Sequence, residues 1–360
     1  MLKVFESFSG VGAQHMALRN LKEKYEVVAT SDIDINATLA YYFVHGNAKK
    51  TKRKLTTDEK QQILIKRGII TKSRLKNIST EQLDVLFDAV DVCNNLGDIT
   101  KIDIKDIPTH DLFTYSFPCQ DISSVGTKKG LDKNSGTRSS LLWECQRIIE
   151  TKKPKYLLLE NVKNLTTGKN RKNFDDWLKY LESIGYENYW KIFDSQYYGI
   201  PQRRPRVIVV SKLGKSKTNL TKDNEIKEKD IVDIIDINEK GWTKFKPKAE
   251  VRGDIGNSKY AFLDDRDWKI NGVMISNVCS TQRAGRAGLK VLKNEKGVFY
   301  ERKLNALECC RLMGYLDEDY INMHNGGLSD GQIMKICGNS IVVNVLENVF
   351  MNIYEEEKND

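Results

Sequence analysis

A cysteine and an acidic residue each follow an apolar, strand-like run in this sequence. Cys119 comes directly after the run 111–117, within Ser-Phe-Pro-Cys-Gln, and Glu160 ends the run 156–159. A thiol at the carboxyl end of a strand can act as a nucleophile, and Pro118 restricts the backbone before it. Burial would raise the pKa of Glu160 and let it share a proton with a base. A buried structural cysteine and a salt-bridged or helix-capping glutamate are the alternatives.

Two further segments of the sequence carry basic residues. Gln202, Arg204 and Arg206 alternate at the start of another strand-like run, so they are expected on one face, where fixed guanidinium groups could bind a phosphate or a base oxygen. Residues 121–138 are rich in glycine and lysine, which is typical of a mobile loop that closes on an anion. An exposed basic strand edge and a solvated surface loop are the alternatives for these two segments.

A glycine-rich turn follows the first strand-like run. The turn reads Phe8-Ser-Gly10-Val-Gly12, and His15 stands where a dinucleotide-binding fingerprint would have its third glycine. The turn therefore favours a nucleoside cofactor without phosphates, with Asp32 at the next strand tip on the ribose hydroxyls. A tight turn without a ligand is the alternative.

These residues require an α/β scaffold to position them. Strand-like runs at 2–8, 27–29, 111–117, 156–159 and 207–210 alternate with helical patterns, which predicts a mainly parallel sheet. We predict a catalytic and cofactor-binding domain over 1–212 with a basic, partly helical insertion at 46–96. A smaller domain is expected over 213–300, and residues 301–360 are expected to return to the catalytic domain.

Composition excludes several classes of protein. The 360 residues are 40% hydrophobic and 30% charged, without an apolar run long enough to span a membrane or a signal-peptide pattern. Seven cysteines and four histidines, without a C-x-x-C pair, disfavour a disulfide scaffold and a metal site. We therefore expect a cytoplasmic protein. Its net charge of +9 suggests a polyanionic partner, and the excess lies at 46–96 (+5), 97–212 (+6) and 213–301 (+4).

The order of these motifs closely resembles the DNA cytosine-5 methyltransferases of bacterial and phage restriction–modification systems. The shared series is Phe-x-Gly-x-Gly, an acidic strand tip, Gly97-Asp-Ile, Pro-Cys-Gln, Glu-Asn-Val, Gln-x-Arg-x-Arg, Arg302-Lys-Leu-Asn and Gly338-Asn-Ser. The resemblance covers 1–45, 97–212 and 302–350. It implies a Rossmann-like, S-adenosylmethionine-dependent methyltransferase fold with a mixed sheet and a smaller target-recognition domain at 213–300.

The resemblance also implies residue roles. Cys119 would add to carbon 6 of a flipped-out cytosine, Glu160 would contact ring nitrogen 3, and Arg206, helped by Arg204, would hold the cytosine oxygen. S-adenosylmethionine would be bound by Phe8, Gly10, Gly12, Asp32, Asp98, Ile99, Pro118, Leu141, Asn339 and Ser340. Double-stranded DNA would be contacted by Ser123, Lys128, Lys129, Arg138, Gln202, Arg283 and Arg286.

Some positions depart from the family pattern, and other functions stay open. The ribose-binding acid is usually Glu and here is Asp32, an aromatic residue often following it is Ile33, and Val278-Cys279 stands where a Thr-Leu pair is common. We expect a monomer without metal or membrane, in a restriction–modification system with an endonuclease of the same specificity, or acting as an orphan enzyme. A tRNA cytosine-5 methyltransferase of this fold and a catalytically silent DNA-binding relative are the alternatives.

Overall fold

The computed structural model describes most of the chain. The described residues are 1–117, 141–168, 170–224, 229–245, 259–264, 269–270, 275–276 and 289–360. They form two compact units. Unit 1 comprises Met1–Phe193, Pro205–Asp223 and Val349–Asp360, and unit 2 comprises Asp194–Arg204 and Asn224–Asn348.

Strands occur in both units. In chain order they are β1 (Leu2–Ser7), β2 (Tyr25–Ser31), β3 (Leu112–Tyr115), β4 (Tyr156–Val162), β5 (Tyr186–Asp194), β6 (Gln202–Arg203), β7 (Pro205–Leu213), β8 (Thr243–Lys244), β9 (Tyr260–Asp264), β10 (Lys269–Ile270), β11 (Ile275–Ser276), β12 (Leu289–Glu295) and β13 (Val298–Lys303).

Helices connect these strands. In chain order they are α1 (Ala13–Leu21), α2 (Ile35–His45), α3 (Thr57–Lys66), α4 (Lys72–Leu75), α5 (Thr80–Val92), α6 (Leu142–Lys152), α7 (Asn170–Ser183), α8 (Ile231–Ile234), α9 (Ala306–Arg311), α10 (Asp317–Asn325), α11 (Asp330–Asn339) and α12 (Val343–Asn359). Short 3-10 turns lie at Ile99–Lys101, Ile104–Asp106, Lys163–Thr166 and Ser195–Tyr197.

Unit 1 is built on a six-stranded sheet with the order β2-β1-β3-β4-β7-β5. The pairs β1–β2, β1–β3 and β3–β4 are parallel, whereas β7 runs antiparallel to β4. Phe113 of β3 and Leu157 of β4 are fully buried together with residues of α6 and α7, including Trp177. Parallel strands covered in this way are continuously apolar, which is why these runs stand out in the sequence. The predicted α/β fold with a mixed sheet is confirmed.

The insertion between β2 and β3 has a core of its own. Leu64 of α3 packs with Leu83, Leu86 and Phe87 of α5. Both helices begin with a capping box, formed by Thr56 with Glu59 and by Ser79 with Gln82. The segment is therefore a folded helical element of unit 1.

Unit 2 contains a five-stranded sheet with the order β10-β9-β12-β13-β8. Neighbouring strands in this sheet run antiparallel, and Phe245, Ala261, Leu263 and Leu292 form a small core there. The strand pair β6–β11 and the helices α9 to α11 belong to the same unit. Residues 301–348 therefore group with unit 2, and only 349–360 group with unit 1. The functional assignment of 213–300 stays a prediction.

Taken singly, the helices of the described ranges are too short or too polar to cross a bilayer. The consecutive helices α11 and α12, bent by 44° relative to each other, have the length and composition of a span only when they are taken as a pair.

Candidate active site

The turn after β1 has the left-handed backbone that its glycines predict. Phe8, Gly10 and Gly12 have φ angles of 52°, 57° and 80°. A Cβ atom at Gly12 would lie 2.5 Å from Cε2 of Tyr41 and 2.6 Å from Nε2 of His45, so this position requires glycine. The turn therefore combines strained backbone with close packing, as expected of a segment that approaches a ligand.

Asp32 follows β2 and is attached directly to this turn. Its Oδ2 accepts a hydrogen bond of 2.8 Å from the amide of Gly10, and its Oδ1 accepts one of 2.8 Å from the amide of Asp34. Burial raises the pKa of Asp32 above its usual value, while the hydrogen bonds from Asp34 and Gly10 oppose that rise. The carboxylate thus fixes the turn as well as being a candidate for binding ribose.

Asp98 and Ile99 lie where the chain returns to the sheet after the insertion. The carboxylate of Asp98 accepts hydrogen bonds from the amide and hydroxyl of Thr100, at 3.1 and 2.8 Å, and Ile99 is buried. The hydroxyl of Ser31 donates to the carbonyl of Gly97 at 2.6 Å, which joins this segment to the end of β2. The structure therefore brings Asp98 next to the strand that leads to Asp32.

Asn95, which sequence analysis did not single out, also joins these segments. Its side-chain oxygen accepts from the amides of Asp32 and Gly97, at 3.0 and 2.9 Å. A buried asparagine just before Gly-Asp-Ile carries no distinctive sequence signal, because asparagine at such a place is usually a turn residue.

Glu160 and Arg206 form an ion pair on neighbouring strands. Nε of Arg206 lies 3.2 Å from Oε1 of Glu160, and the side chains are 16% and 10% exposed for Arg206 and Glu160 respectively. The antiparallel register of β4 and β7 places Val162 opposite Arg206, so Arg206 is a diagonal neighbour of Glu160. The structure thus brings together two of the residues predicted to be catalytic.

Asn161 links this pair to the segment that leads to Cys119. Its side-chain amide donates to the carbonyl of Phe117 at 3.1 Å. Phe117 is the last described residue before the predicted nucleophile. The end of β4 and the chain entering the Pro118-Cys119 segment are therefore held side by side.

Arg204 and Gln202 bind backbone carbonyl groups within unit 2. Nη2 of Arg204 donates to the carbonyls of Gly338 and Ser340, at 3.0 and 2.6 Å. Gln202 is fully buried and donates to the carbonyl of Leu312 at 2.7 Å. The predicted single strand through 202–210 is instead two strands, β6 and β7. Burial leaves Gln202 without surface for the predicted DNA contact in this structure, so its placement favours a structural role.

The other predicted cofactor residues lie at helix ends. Leu141 precedes α6 and packs partly buried against the core of unit 1. Asn339 ends α11 and is exposed, and Ser340 follows it. Arg204 therefore fixes the backbone around the predicted Asn339-Ser340 contact.

Several predicted residues lie outside the described part of the chain. They are Pro118, Cys119, Ser123, Lys128, Lys129, Arg138, Arg283 and Arg286. Within the described ranges, no group of three or more His, Cys, Asp or Glu side chains could hold a metal ion.

Comparison with known proteins identifies the family. The model of the C-5 cytosine-specific DNA methylases matches residues 91–355. The chain belongs to this family. This methyltransferase is 38% identical to the Type II methyltransferase M2.ScrFI of Lactococcus lactis subsp. cremoris, over 99% of the chain and 100% of the relative. It is 30% identical to the orphan methyltransferase M.SssI of Spiroplasma monobiae, over 98% of the chain and 97% of the relative.

Solved structures agree with the fold of the methyltransferase. The Dnmt2 methyltransferase of S. pombe matches with a TM-score of 0.63 and 18% identity over the full length of both chains. The Entamoeba histolytica methyltransferase EhMeth matches with a TM-score of 0.59 and 17% identity over 99% of both chains. At these identities the likeness concerns the fold. The predicted cytosine-5 DNA methyltransferase of the restriction–modification type is confirmed by the family and the relatives.

Proposed function

We propose that the enzyme transfers a methyl group from S-adenosylmethionine to carbon 5 of a cytosine within a specific sequence of double-stranded DNA. The observation that carries this proposal is the Glu160–Arg206 pair, held at the end of β4 beside the chain that leads to Cys119. A carboxyl and a guanidinium group fixed beside the chain that leads to Cys119 form, with its thiol, a suitable set for a pyrimidine ring.

The cofactor residues fit a nucleoside. The carboxylates of Asp32 and Asp98 are acceptors that suit hydroxyl and amine donors. The turn at Gly10 has open space beside it. S-adenosylmethionine supplies the methyl group when bound. The chain would bind its adenosine part between the end of β2 and the Gly97-Asp98 segment.

The protein groups act on the cytosine ring. The Cys119 thiolate adds to carbon 6, and the electron pair of the 5,6 double bond becomes available at carbon 5. Glu160 protonates or hydrogen-bonds ring nitrogen 3 and stabilises the charge that develops there, while Arg206 holds the carbonyl oxygen of the cytosine. After methyl transfer, a base removes the proton on carbon 5, the double bond re-forms and the thiolate of Cys119 leaves.

Access to the ring requires that the cytosine leave the duplex. Carbon 6 of a stacked base cannot reach a thiol inside the protein, so the target must flip out. We propose that the segment 121–138 closes over the flipped base and that 213–300 reads the DNA sequence. We propose that the enzyme acts on genomic DNA in the cytoplasm, either beside an endonuclease of the same specificity or as an orphan enzyme.

The test is methylation by the purified protein. We expect label from methyl-labelled S-adenosylmethionine to enter duplex DNA and not tRNA, and bisulfite sequencing to find the modified cytosines within one short sequence. Label in tRNA alone would overturn the choice of substrate. DNA binding without label in either substrate would instead indicate a catalytically silent relative.

A further inference from the structure

We propose that Asn95 is a positioning residue for the adenosine part of the cofactor site, because one buried amide group holds both segments predicted to bind that part. This inference rests on the proposed use of S-adenosylmethionine. Asn95 is 2% exposed and lies between α5 and the Gly97-Asp98 segment, next to β2. It is outside every motif that carries the family resemblance.

All four hydrogen-bonding positions of the Asn95 side chain are used. Oδ1 accepts from the amides of Asp32 and Gly97, at 3.0 and 2.9 Å. Nδ2 donates to the carbonyl of Asp32 and to the hydroxyl of Thr38, both at 3.1 Å. Two acceptor and two donor positions are the full capacity of an asparagine amide. The side chain therefore sets the separation of Asp32 and Gly97 and also secures the start of α2.

The two segments transmit this constraint to the predicted cofactor contacts. On one side, the carboxylate of Asp32 accepts a hydrogen bond from the amide of Gly10 in the turn after β1. On the other side, Gly97 has a φ of 81°, and a Cβ atom there would lie 2.0 Å from the carbonyl oxygen of Arg67. Because both neighbours are tightly placed, a change at Asn95 cannot be absorbed without moving the ends of these segments.

Asparagine is required here for its combination of atoms. Aspartate has the same shape, but it lacks the two N–H donors and would place an oxygen against the carbonyl of Asp32. The change Asn95→Asp therefore removes the donors and creates repulsion at the strand end while adding no bulk. Leaving buried groups unpaired costs more than a single hydrogen bond contributes.

Asn94 offers a matched control. Its side-chain amide donates to the carbonyl of Val28 at 2.8 Å, on the same strand but away from its end. Asn94→Asp makes the same chemical change one residue away without altering the bonds to Asp32 and Gly97. A general loss of stability would affect both variants, whereas a loss of cofactor positioning would affect Asn95→Asp alone.

The experiment compares KM and Kd for S-adenosylmethionine with KM for duplex DNA in the wild type and both variants. For Asn95→Asp we expect the KM and Kd for S-adenosylmethionine to rise about tenfold or more. The KM for DNA should stay within about twofold, and Asn94→Asp should behave as the wild type. Equal effects of the two variants, or an equal rise of both KM values in Asn95→Asp, would overturn the inference.

A milder variant covers the case in which Asn95→Asp does not fold. Thr38→Val removes the acceptor for Nδ2 of Asn95 and keeps the side-chain shape. It should weaken S-adenosylmethionine binding by about threefold and leave the KM for DNA unchanged. Unchanged cofactor binding in a folded Thr38→Val protein would contradict the inference. Failure of the wild type itself to bind S-adenosylmethionine would refute the proposed function instead.

Discussion

Nε of Arg206 lies 3.2 Å from Oε1 of Glu160 across the antiparallel pair of β4 and β7. Both side chains are mostly buried, so solvent screens their interaction less than it would at the surface. The strand register fixes the separation of the two groups before any ligand binds. This preorganisation is what a site needs if it is to stabilise charge that develops on a substrate ring.

The first prediction concerns this pair. Glu160→Gln should lower kcat by roughly 10²-fold or more, because the neutral amide cannot deliver a proton to ring nitrogen 3. Arg206→Ala should lower kcat by a similar factor, because the carbonyl oxygen of the cytosine loses a donor and Glu160 loses its partner. Single-turnover methylation of duplex DNA measures both effects separately from product release.

A matched control exists on α7. Arg171 pairs with Asp175 at 2.9 Å, and both side chains are well exposed. Arg171→Ala should leave methylation within about twofold, because exposed pairs contribute little. If this variant lost as much activity as Arg206→Ala, the catalytic assignment of the Glu160–Arg206 pair would be wrong.

The second prediction concerns Cys119. Cys119→Ser should stop methylation while DNA binding persists, because the hydroxyl is a far weaker nucleophile than the thiolate. Duplex DNA with 5-fluorocytosine at the target should form a stable covalent adduct with the wild type, because carbon 5 then has no removable proton. Denaturing electrophoresis detects that adduct, and methylation by Cys119→Ser would refute the nucleophile assignment.

The sequence was sufficient to predict the sheet and to find the motifs that are continuous in the chain. Buried parallel strands are continuously apolar, and Glu160 stood out because a charge follows such a run. The pairing of Glu160 with Arg206 was not predictable, because it depends on the diagonal register of an antiparallel strand far along the chain. The local structure around Gln202 and Arg204 differs from the prediction for a related reason: alternation predicts one face of one strand, whereas the chain forms two strands there, β6 and β7.

Contacts among buried polar residues were equally unpredictable from the sequence. Glu6 of β1, His15 of α1 and the α2 residues Tyr41 and His45 come from three different elements. The hydroxyl of Tyr41 nevertheless donates to Glu6 at 3.0 Å and lies 2.9 Å from Nδ1 of His15. His15 and His45 stack with their ring centres 3.9 Å apart. Periodicity identifies which face of an element is buried, but it does not show which polar groups meet inside.

The third prediction is a pH dependence of stability caused by Glu6. Complete burial raises its pKa to about 8, opposed by the hydrogen bond from Tyr41. In the unfolded chain the carboxyl titrates near 4.5, so between pH 4.5 and 8 the folded state binds the extra proton. The Glu6 contribution should therefore lower the free energy of unfolding as pH rises through this window, with a slope of up to about 1.4 kcal/mol per pH unit.

Glu6→Gln isolates this effect. The amide keeps an acceptor for Tyr41 and carries no charge. The free energy of unfolding of the variant, relative to that of the wild type, should therefore rise from pH 5 to pH 8 and then level off. Urea titrations at several pH values measure the difference, in which the titration of all other groups cancels. Parallel curves for the two proteins across this range would show that Glu6 is not protonated in the folded state.

The last prediction concerns the basic segment at the start of the insertion. Lys50, Lys52 and Lys54 are exposed, whereas Arg53 pairs with Asp91 at 2.9 Å and holds the segment against α5. Lysines that neutralise DNA phosphates release condensed counterions, so their number sets the salt dependence of DNA binding. Changing the three lysines to Glu should weaken DNA binding and reduce the salt slope by up to about 2.7, close to 0.9 for each phosphate that is no longer neutralised.

The change in net charge must be separated from the loss of local phosphate binding. Changing Lys3, Lys22 and Lys24 to Glu alters the net charge of unit 1 equally at other exposed positions. Fluorescence anisotropy of duplex DNA between about 50 and 200 mM salt should show a shallower slope for the insertion variant than for this control. Identical slopes for the two variants would mean that the insertion lysines face solvent in the DNA complex and that the charge acts only at long range.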